Sequence, residues 1–254
     1  MKNDFYSIII PVKNQEISIE KNLFRLTKKI KKFKRSKLLS HWEIILIDDG
    51  SSDKTIQKIR YFIKKNKNIK LLVNNKNQGK GFSIKKGVNF VNRNSKKIIT
   101  IDADMPYFEL LEKFILTLKH HNLVIIDRKN KNSKLINKKK DFYIYYRIIV
   151  GHILNSIFRF FRLTSLKDTQ AGLKGFDSSF KKVFKYVRTN GFLYDLEFLL
   201  ILQKKKIYPK LIPCKYFISS QSSIIFNFNL YLKILFDLFK IFIGNLSKKY
   251  DLNK

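Results

Sequence analysis

Residues 44–53 read IILIDDGSSD, an apolar run that ends abruptly in two carboxylates and a Gly-Ser turn. A short, fully apolar run bounded by turn residues is typical of a strand buried on both faces of a parallel sheet. In open α/β sheets the ligand crevice lies beyond the carboxyl ends of the strands, so side chains that follow such a strand can reach a nucleotide. A second run of this kind, IITIDAD at residues 98–104, also ends in carboxylates. The two runs together predict a nucleotide site with a metal ion at one sheet edge.

Length and composition favour a globular protein with a substantial core. The chain has 254 residues, 44% of them hydrophobic, which fits one large α/β domain or two small ones. The single cysteine, Cys214, excludes an internal disulfide framework and a cysteine-based zinc site, and the four histidines show no metal-ligand spacing. We predict that Cys214 is a core or near-surface thiol.

The formal net charge of +34 is of the kind found in nucleic-acid-binding proteins. Lysine greatly outnumbers arginine, however, and arginine is the better reader of bases and phosphates. The lysines are spread over every segment, and the chain has no helix-turn-helix, zinc or aromatic RNA-binding signature. Nucleic-acid binding is therefore the disfavoured interpretation. A dispersed lysine coat is mainly a solvated surface, and it also favours an anionic membrane.

Hydrophobic periodicity predicts alternating strands and helices in the first half of the chain, as in a doubly wound parallel sheet. Strands are expected at residues 5–12, 43–48, 69–73, 98–102 and 123–126, and helices at 17–33, 55–65, 82–91 and 107–119. Four residues of the first helix are expected to face inward, namely Leu23, Phe24, Leu26 and Ile30. The later part is predicted to contain a polar, mobile loop at 128–140, a helix at 142–161, a short strand at 170–176 and a helix at 193–203.

Carboxylates at the two strand ends suit different parts of a nucleotide. Asp102 and Asp104 lie two residues apart, and such hard oxygen ligands suit Mg²⁺ or Mn²⁺ shared with a diphosphate, although a solvated strand end is the alternative. Asp48 and Asp49 can accept hydrogen bonds from a base and from ribose hydroxyls. We expect Asp48 to be mainly functional and Asp49 or Asp53 to be partly structural. Lys80, between two glycines, can approach a phosphate or belong to a plain turn.

Five motifs occur in the order seen in family 2 inverting glycosyltransferases of the GT-A fold. They are IIIPVxNxE at 8–16, IDDGSxD at 47–53, NxGKG at 77–81, DAD at 102–104 and DTQxGxK at 168–174. The last motif resembles the dolichyl- and polyprenyl-phosphate glucosyltransferase and mannosyltransferase branch. The resemblance covers roughly residues 6–223. It implies an α/β fold with a Rossmann-like, mostly parallel sheet that carries helices on both faces.

The resemblance also implies roles for individual residues. The nucleotide-sugar donor, expected to be a UDP-sugar, would contact Pro11, Val12, Asn14, Glu16, Asp48, Asp49, Lys80, Asp168 and Gln170. Asp102 and Asp104 would hold Mg²⁺ or Mn²⁺ on its diphosphate, with Lys174 near the diphosphate or the sugar. Arg128 and Arg147 match the positions that bind an acceptor phosphate. Asp195 and Glu197 match an acidic pair near the sugar, one of which would act as general base if the acceptor were a hydroxyl.

Residues 224–246 form the longest apolar stretch, but Lys233, Asp237 and Lys240 interrupt it, so it is a poor membrane span. At helical spacing the three charges share one narrow stripe, which predicts a C-terminal amphipathic helix. Our preferred interpretation is insertion at a membrane interface beside a polyprenyl tail, and packing against the core or a partner is the alternative. Phe158, Phe160, Phe161 and Leu163 are expected to extend this surface. We therefore divide the chain into a GT-A domain at 1–223 and a tail at 224–254.

The function expected from these features is transfer of a hexose, glucose from UDP-glucose, to polyprenyl phosphate with inversion. Transfer to a sugar hydroxyl in a surface polysaccharide or glycolipid is the second hypothesis, and a basic nucleic-acid-binding protein is the alternative from another class. An inactive member of the same family is a further alternative. No secretory signal is visible, so we expect a cytoplasmic protein, peripheral at the inner face of the membrane. The oligomeric state is left open.

Overall fold

The computed structural model describes residues 4–136, 142–217 and 228–251. The strands are β1 (Phe5–Val12), β2 (His41–Asp48), β3 (Ile69–Val73), β4 (Lys97–Ile101), β5 (Leu123–Asp127), β6 (Lys134–Leu135), β7 (Leu173–Asp177), β8 (Lys210–Pro213) and β9 (Lys215–Tyr216). The helices are α1 (Ile19–Arg35), α2 (Thr55–Ile63), α3 (Lys80–Phe90), α4 (Leu111–His120), α5 (Phe142–Phe160), α6 (Tyr194–Lys204) and α7 (Phe228–Leu246). The strand and helix alternation predicted for the first half is confirmed within a few residues.

Seven strands form one sheet in the order β3-β2-β1-β4-β7-β5-β8. All neighbours are parallel except β7, which runs antiparallel between β4 and β5. The predicted mostly parallel α/β class is therefore confirmed, and β7 is the antiparallel member of the sheet. Because β7 is reversed, its first residue, Leu173, pairs with the last residue of β4, Ile101. The start of β7 thus lies at the edge where the parallel strands end.

Helices cover both faces of this sheet. α1, α2 and α4 pack on one face with Ile8 and Ile10, while α3, α6 and α7 pack on the other face with Ile9. This division follows from the alternation of side chains along a strand. In α1 the buried stripe is Leu23, Leu26, Ile30 and Phe33. Phe24 was wrongly expected in it and is 62% exposed, because it lies one position off the three- and four-residue spacing of that stripe.

Two predictions for the later part of the chain need correction. The polar segment expected as a loop at 128–140 contains β6, which pairs with β9, and residues 137–141 lie outside the described part. Phe158 and Leu163, expected on an exposed surface, are buried at 2% and 0% exposure, whereas Phe160 is 81% exposed. Cys214 is buried, as predicted.

The C-terminal helix packs on the domain instead of standing apart from it. Leu238 and Ile241 of α7 and the following Tyr250 are buried in the cluster that also holds α3 and α6. The first residues of the predicted helix, 224–227, are outside the described residues. Within the ranges given above, every helix falls short of the length and apolarity that a bilayer crossing requires.

Candidate functional site

The predicted site residues converge on one edge of the sheet. β1, β2, β4 and β5 all end there, and β7 begins there. The loop after β4 is tied to the loop before β7, since the Asp102 backbone N–H donates to the Gly172 carbonyl at 2.9 Å. α3 contributes Lys80 as its first residue, whose ammonium lies 2.6 Å from Asp102. α6 contributes Asp195 from its first turn.

Asp48, the last residue of β2, closes the turn that follows it. Its side chain is fully buried and accepts hydrogen bonds from the Ser51 backbone N–H at 2.9 Å and the Ser51 hydroxyl at 2.5 Å. The Asn14 backbone N–H donates to the same hydroxyl, and the Asn14 side chain accepts the Ser52 N–H. The β1 and β2 ends therefore form one connected loop pair.

Asp49 holds a different part of the same edge. One of its oxygens accepts hydrogen bonds from the Asn74 side chain and the Gln78 N–H, and the other accepts the Gly79 N–H, each at 2.9 Å. Asp49 is 5% exposed. Asp49 thus has the partly structural role that was expected, because it holds the turn that leads into α3. Its contact with the nucleotide-sugar donor stays a prediction.

Glu16 and Asp53 link the loops at the outer side of the site. Glu16 accepts the Lys54 N–H at 3.0 Å, and Asp53 accepts the N–H groups of Glu16 and Thr55 at 3.2 and 3.0 Å. Although burial opposes it, these hydrogen bonds lower the pKa of Asp53 below its ordinary value. Pro11 and Val12 lie next to them at the end of β1, in register with the end of β2. This loop pair is a rigid platform with backbone and side-chain oxygens at its rim.

Asp102 sits directly beyond β4 and faces a cation. Its Oδ1 lies 2.6 Å from the ammonium of Lys80, and both side chains are partly exposed. Burial alone would lower the pKa of Lys80, but the nearby carboxylates of Asp102, Asp195 and Asp104 outweigh it and raise that pKa. A Cβ at Gly172 would come within 2.1 Å of the Asp102 carboxylate, so only glycine fits there.

The loop after Asp102 is held in an unusual backbone conformation. Met105 has φ of 50°, which is uncommon for a residue with a side chain. The Asn22 side chain of α1 donates to the Ala103 carbonyl at 2.9 Å, and the Met105 N–H donates to the Asp102 carbonyl. These contacts keep Asp102 and Asp104 within one tight turn.

The donor set of this turn fits a divalent cation that is shared with a ligand. Two carboxylates are hard oxygen donors, and the Lys80 ammonium beside Asp102 shows that a cation is accommodated there. Among the described residues, no group of three or more His, Cys, Asp or Glu side chains is placed so that it could hold a metal ion by itself. Mg²⁺ commonly binds through one or two carboxylates and completes its shell with phosphates and water. The turn therefore suits an ion that arrives with a diphosphate.

Behind Lys80 lies a second, buried ion pair. The ammonium of Lys174 on β7 is 3.0 Å from Asp195 on α6, and both side chains are at most 3% exposed. Burial lowers the pKa of Lys174 and raises the pKa of Asp195, and their mutual attraction opposes both shifts. Lys174 also donates to the Ala171 carbonyl. This pair supports the floor of the site beneath Lys80 and Asp102.

Glu197 was expected beside Asp195 at the sugar, but its side chain is engaged elsewhere. It is fully buried, and one oxygen accepts hydrogen bonds from the N–H groups of Arg188 and Thr189 and from the Thr189 hydroxyl. The other oxygen accepts the Tyr250 hydroxyl at 2.7 Å. The two-residue spacing turns the acids of a helix toward different sides, so the structure separates the predicted pair.

Arg128 and Asp168 form a bidentate ion pair at the end of β5. Nε and Nη2 of Arg128 each lie 2.7 Å from a different carboxylate oxygen of Asp168, which also accepts the Arg128 and Gln170 N–H groups. Although burial opposes it, this pairing holds the pKa of Asp168 below its ordinary value. Arg128 keeps 30% of its side chain exposed and Asp168 only 3%. Asp168, which was predicted to contact the nucleotide-sugar donor, therefore orients the Arg128 guanidinium.

The remaining predicted residues are placed less fully. Arg147 belongs to α5, but its side chain is outside the described part of the structure.

Sequence reasoning missed Asn74 and Tyr250, the partners of Asp49 and Glu197. Asn74 directly follows β3, the neighbour of β2, so its position at a strand end was a usable signal. No local pattern marks Tyr250, which is 53 residues from its partner in sequence.

Comparisons with known proteins agree with this architecture. The model of the family described as "Glycosyl transferase family 2" matches residues 7–185. The dolichyl-phosphate beta-glucosyltransferases of Saccharomyces cerevisiae and Dictyostelium discoideum are 28% and 27% identical, over 82% and 81% of the chain. The chain spans 66% and 64% of their lengths.

A solved structure shares the fold. The glucosyl-3-phosphoglycerate synthase of Mycobacterium tuberculosis, solved with Mn²⁺, uridine diphosphate and phosphoglyceric acid, superposes with a TM-score of 0.63 at 13% identity. The match covers 94% of this chain and 78% of the synthase. It confirms the GT-A fold expected from the sequence motifs.

Proposed function

Because the chain belongs to glycosyl transferase family 2, we propose that it transfers a hexose from a nucleotide sugar to polyprenyl phosphate with inversion. The donor we propose is UDP-glucose. Two of the relatives are named dolichyl-phosphate beta-glucosyltransferases, and the synthase of the same fold was solved with uridine diphosphate. These names support the choice of donor and acceptor class.

The donor side of the proposal rests on the sheet edge. The β1 and β2 loops would hold the base and ribose, with Glu16 at their rim and the buried Asp48 fixing the turn after β2. Asp102 and Asp104 would hold Mg²⁺ or Mn²⁺, which supplies a fixed positive charge for the leaving nucleoside diphosphate. Lys80 lies at the same turn and would add a second cation for the phosphates. The charge that builds up on the leaving group would thus meet preorganised partners.

The observation that carries the acceptor assignment is the position of Arg128 beside an apolar helix. Asp168 fixes the guanidinium through the N–H of Nε and one N–H of Nη2, which leaves the N–H groups of Nη1 and the second N–H of Nη2 as donors for a phosphate oxygen. The next residue, Lys129, reaches the Gly151 carbonyl of α5 at 3.5 Å, and the Asn155 side chain of α5 donates to the Lys167 carbonyl. A phosphate at Arg128 would therefore have α5 at its side. A phosphate nucleophile needs positioning cations and no protein base.

α5 and α7 together present a broad apolar surface. The large hydrophobic residues of α5 that are at least half exposed are Phe142, Tyr145, Ile149, Ile153 and Phe160, and those of α7 exposed above 40% are Leu232, Leu235, Phe236, Phe239, Ile243 and Leu246. The two helices meet where Phe161 packs edge-on against Phe242 and where Tyr146 and Tyr231 share a hydrogen bond. We call these exposed residues the α5–α7 surface.

The occupant that we propose for the α5–α7 surface is an anionic membrane leaflet that holds the polyprenyl chain. Lys233 and Lys240 of α7 are exposed, and the Lys240 ammonium lies 4.3 Å from the centre of the Phe236 ring. Long cationic side chains beside apolar ones are typical of helices that lie in a membrane interface. Peripheral attachment at the cytoplasmic face is part of this proposal.

Transfer to a sugar hydroxyl is the second candidate, and the geometry favours it less. That reaction needs a general base within hydrogen-bond reach of the acceptor. Asp195 is 1% exposed and already paired with Lys174, and both oxygens of Glu197 accept hydrogen bonds from protein groups. A phosphate acceptor requires neither carboxylate as a base.

The test is release of nucleoside diphosphate by the purified full chain with Mn²⁺, a panel of nucleotide sugars, and polyprenyl phosphate present or absent. We expect release that depends on the lipid and is highest with UDP-glucose. Arg128→Lys keeps the charge but loses the fork and should reduce transfer strongly. Full transfer by Arg128→Lys, or release that requires an added sugar acceptor and no polyprenyl phosphate, would favour the hydroxyl acceptor.

A further inference from the structure

Residues 187–191 form a loop that contacts the three helices α3, α6 and α7, and we call it the 187–191 loop. Thr189 within it is fully buried. On one side the loop meets α3. The Gly81 and Phe82 N–H groups donate to the Gly191 and Asn190 carbonyls at 3.2 and 3.1 Å. These two donors come directly after Lys80, so the loop seats the first turn of α3.

The 187–191 loop lies so close to α3 that no side chain fits between them. Gly79 has φ of +100°, and a Cβ there would lie 2.4 Å from the Asn190 carbonyl oxygen. A Cβ at Gly81 would lie 2.7 Å from Tyr194 and 3.0 Å from Asn190. One turn further along α3, the Lys85 ammonium binds the Val187 and Thr189 carbonyls and the Asn190 side chain. The position of Lys80 is therefore set by the loop as well as by its own helix.

On its other side the loop is held by α6 and by the C-terminal segment. Glu197 of α6 accepts the Arg188 and Thr189 N–H groups and, through its second oxygen, the Tyr250 hydroxyl at 2.7 Å. Asp237 of α7 lies beside Gly191: burial raises the pKa of this carboxyl, and the nearby Gly191 backbone opposes the rise. A Cβ at Gly191 would come within 2.7 Å of the Asp237 carboxylate. The C-terminal segment, for which packing on the core was one of the two predictions, thus contacts the loop directly through Asp237 and indirectly through Tyr250 and Glu197.

We propose that Glu197, Tyr250 and Asp237 are positioning residues that act through the 187–191 loop to hold Lys80 against Asp102. The inference rests on the proposed function for its purpose, since Lys80 and Asp102 are the proposed diphosphate and metal contacts. Its physical content is independent of that function. Loss of a contact at the C-terminal segment must loosen the first turn of α3, about 170 residues away in sequence.

The first experiment uses the full chain without any ligand and measures backbone amide exchange. Tyr250→Phe removes only the hydroxyl that donates to Glu197. We expect amide exchange at Gly81 and Phe82 to rise about tenfold, which corresponds to roughly 1.4 kcal/mol of local opening. The matched control is Tyr6→Phe, another buried tyrosine at 1% exposure, at the start of β1. Equal acceleration at Gly81, Phe82 and the β1 amides would mean general loosening and would overturn the inference.

The second variant tests the other contact. Asp237→Ala cuts the link from α7 to Gly191 and leaves the Glu197 hydrogen bonds in place. It should also accelerate exchange at Gly81 and Phe82, and the double variant with Tyr250→Phe should exceed either single one. If both single variants leave the exchange rates of the Gly81 and Phe82 amides unchanged, the proposal is wrong.

A binding measurement connects the loop to the site. We expect the dissociation constant for uridine diphosphate with Mn²⁺, measured by calorimetry, to rise about threefold to tenfold in Tyr250→Phe and to stay at the wild-type value in Tyr6→Phe. If the wild type binds no uridine diphosphate, the proposed donor fails while the exchange result still stands. If the wild type binds and Tyr250→Phe binds equally well, the positioning role fails and the proposed function survives.

Discussion

The ends of β2 and β4 carry similar acidic sequences but use their carboxylates in opposite ways. Asp48 and Asp49 are at most 5% exposed, and all four of their oxygens accept hydrogen bonds from nearby loops. Asp102 keeps about a third of its side chain exposed and faces the ammonium of Lys80. The comparison teaches that protein donors already satisfy the acids after β2, whereas the Asp102 carboxylate keeps an exposed part that a ligand can reach.

The reason lies in what each loop offers. The turn after β2 presents N–H groups of Ser51, and the turn before α3 presents those of Gln78 and Gly79. After β4 the chain bends away at Met105, and the antiparallel start of β7 brings a carbonyl to the Asp102 backbone. The Asp102 carboxylate thus has a cation as its neighbour, where Asp49 has backbone amides.

The largest effect is expected at the β4 end. Asp102→Asn should lower glycosyl transfer roughly 100-fold to 1,000-fold, because the charge that would hold the metal and Lys80 is removed. The melting temperature should stay close to the wild-type value, since the side chain is partly exposed. Steady-state turnover and calorimetric unfolding on the same preparation test both halves of this prediction. If Asp102→Asn lowered stability as strongly as it lowers activity, Asp102 would be a structural residue like Asp49.

The complementary substitution is Asp49→Ala at the β2 end. It should lower the free energy of unfolding by roughly 1–3 kcal/mol, because buried donors of Asn74, Gln78 and Gly79 lose their acceptor. Urea unfolding measures this change. Asp49→Asn should recover part of the loss, since its amide oxygen can still accept from the loop. A stable Asp49→Ala protein with full loss of transfer would contradict the structural role of Asp49.

Acid titration sharpens the comparison through Asp168, another fully partnered acid at this edge. Its pKa is held below the ordinary value of 3.8 against the opposing effect of burial, mainly by the Arg128 guanidinium. Folding is therefore favoured by the ionised group above its unfolded pKa, and that contribution is lost as the pH falls through the folded pKa. The free energy of unfolding should decline as the pH falls from the ordinary value of 3.8 toward the lower pKa of the folded state, and Asp168→Asn should flatten this slope. If the wild type and Asp168→Asn have the same slope, Asp168 does not take up a proton when the protein unfolds in acid.

The smallest effect is expected from removal of the cation beside Asp102. Lys80→Met should strengthen Mn²⁺ binding without nucleotide by up to about fivefold, because a partly exposed ion pair competes by about 1 kcal/mol at most. Electron paramagnetic resonance of free Mn²⁺ gives this constant without reference to activity. Lys96→Met, an exposed lysine next to the start of β4, is the matched control for a change in net charge. Weaker Mn²⁺ binding in Lys80→Met would mean that Lys80 supports the metal site.

Much of the site could be predicted because it follows strand ends. Asp48, Asp102 and Arg128 each come at or directly after a parallel strand, so hydrophobic periodicity alone places them at one edge. The motif DTQxGxK marked Asp168 and Lys174, but their partners could not be found in the same way. The pairs Asp168 with Arg128 and Lys174 with Asp195 join residues 40 and 21 positions apart, and no local pattern states which oppositely charged groups will meet.

The sequence by itself determined the α/β class, the order of the first nine elements and the acids at the strand ends, because period-two and period-3.6 patterns are local properties of the chain. Only the tertiary structure decided the reversed direction of β7, the separation of Glu197 from Asp195 and the attachment of the C-terminal segment to the 187–191 loop. These depend on which distant groups compete for the same donors and the same space. A buried carboxylate takes the partners that packing brings to it, and packing is a property of the whole fold.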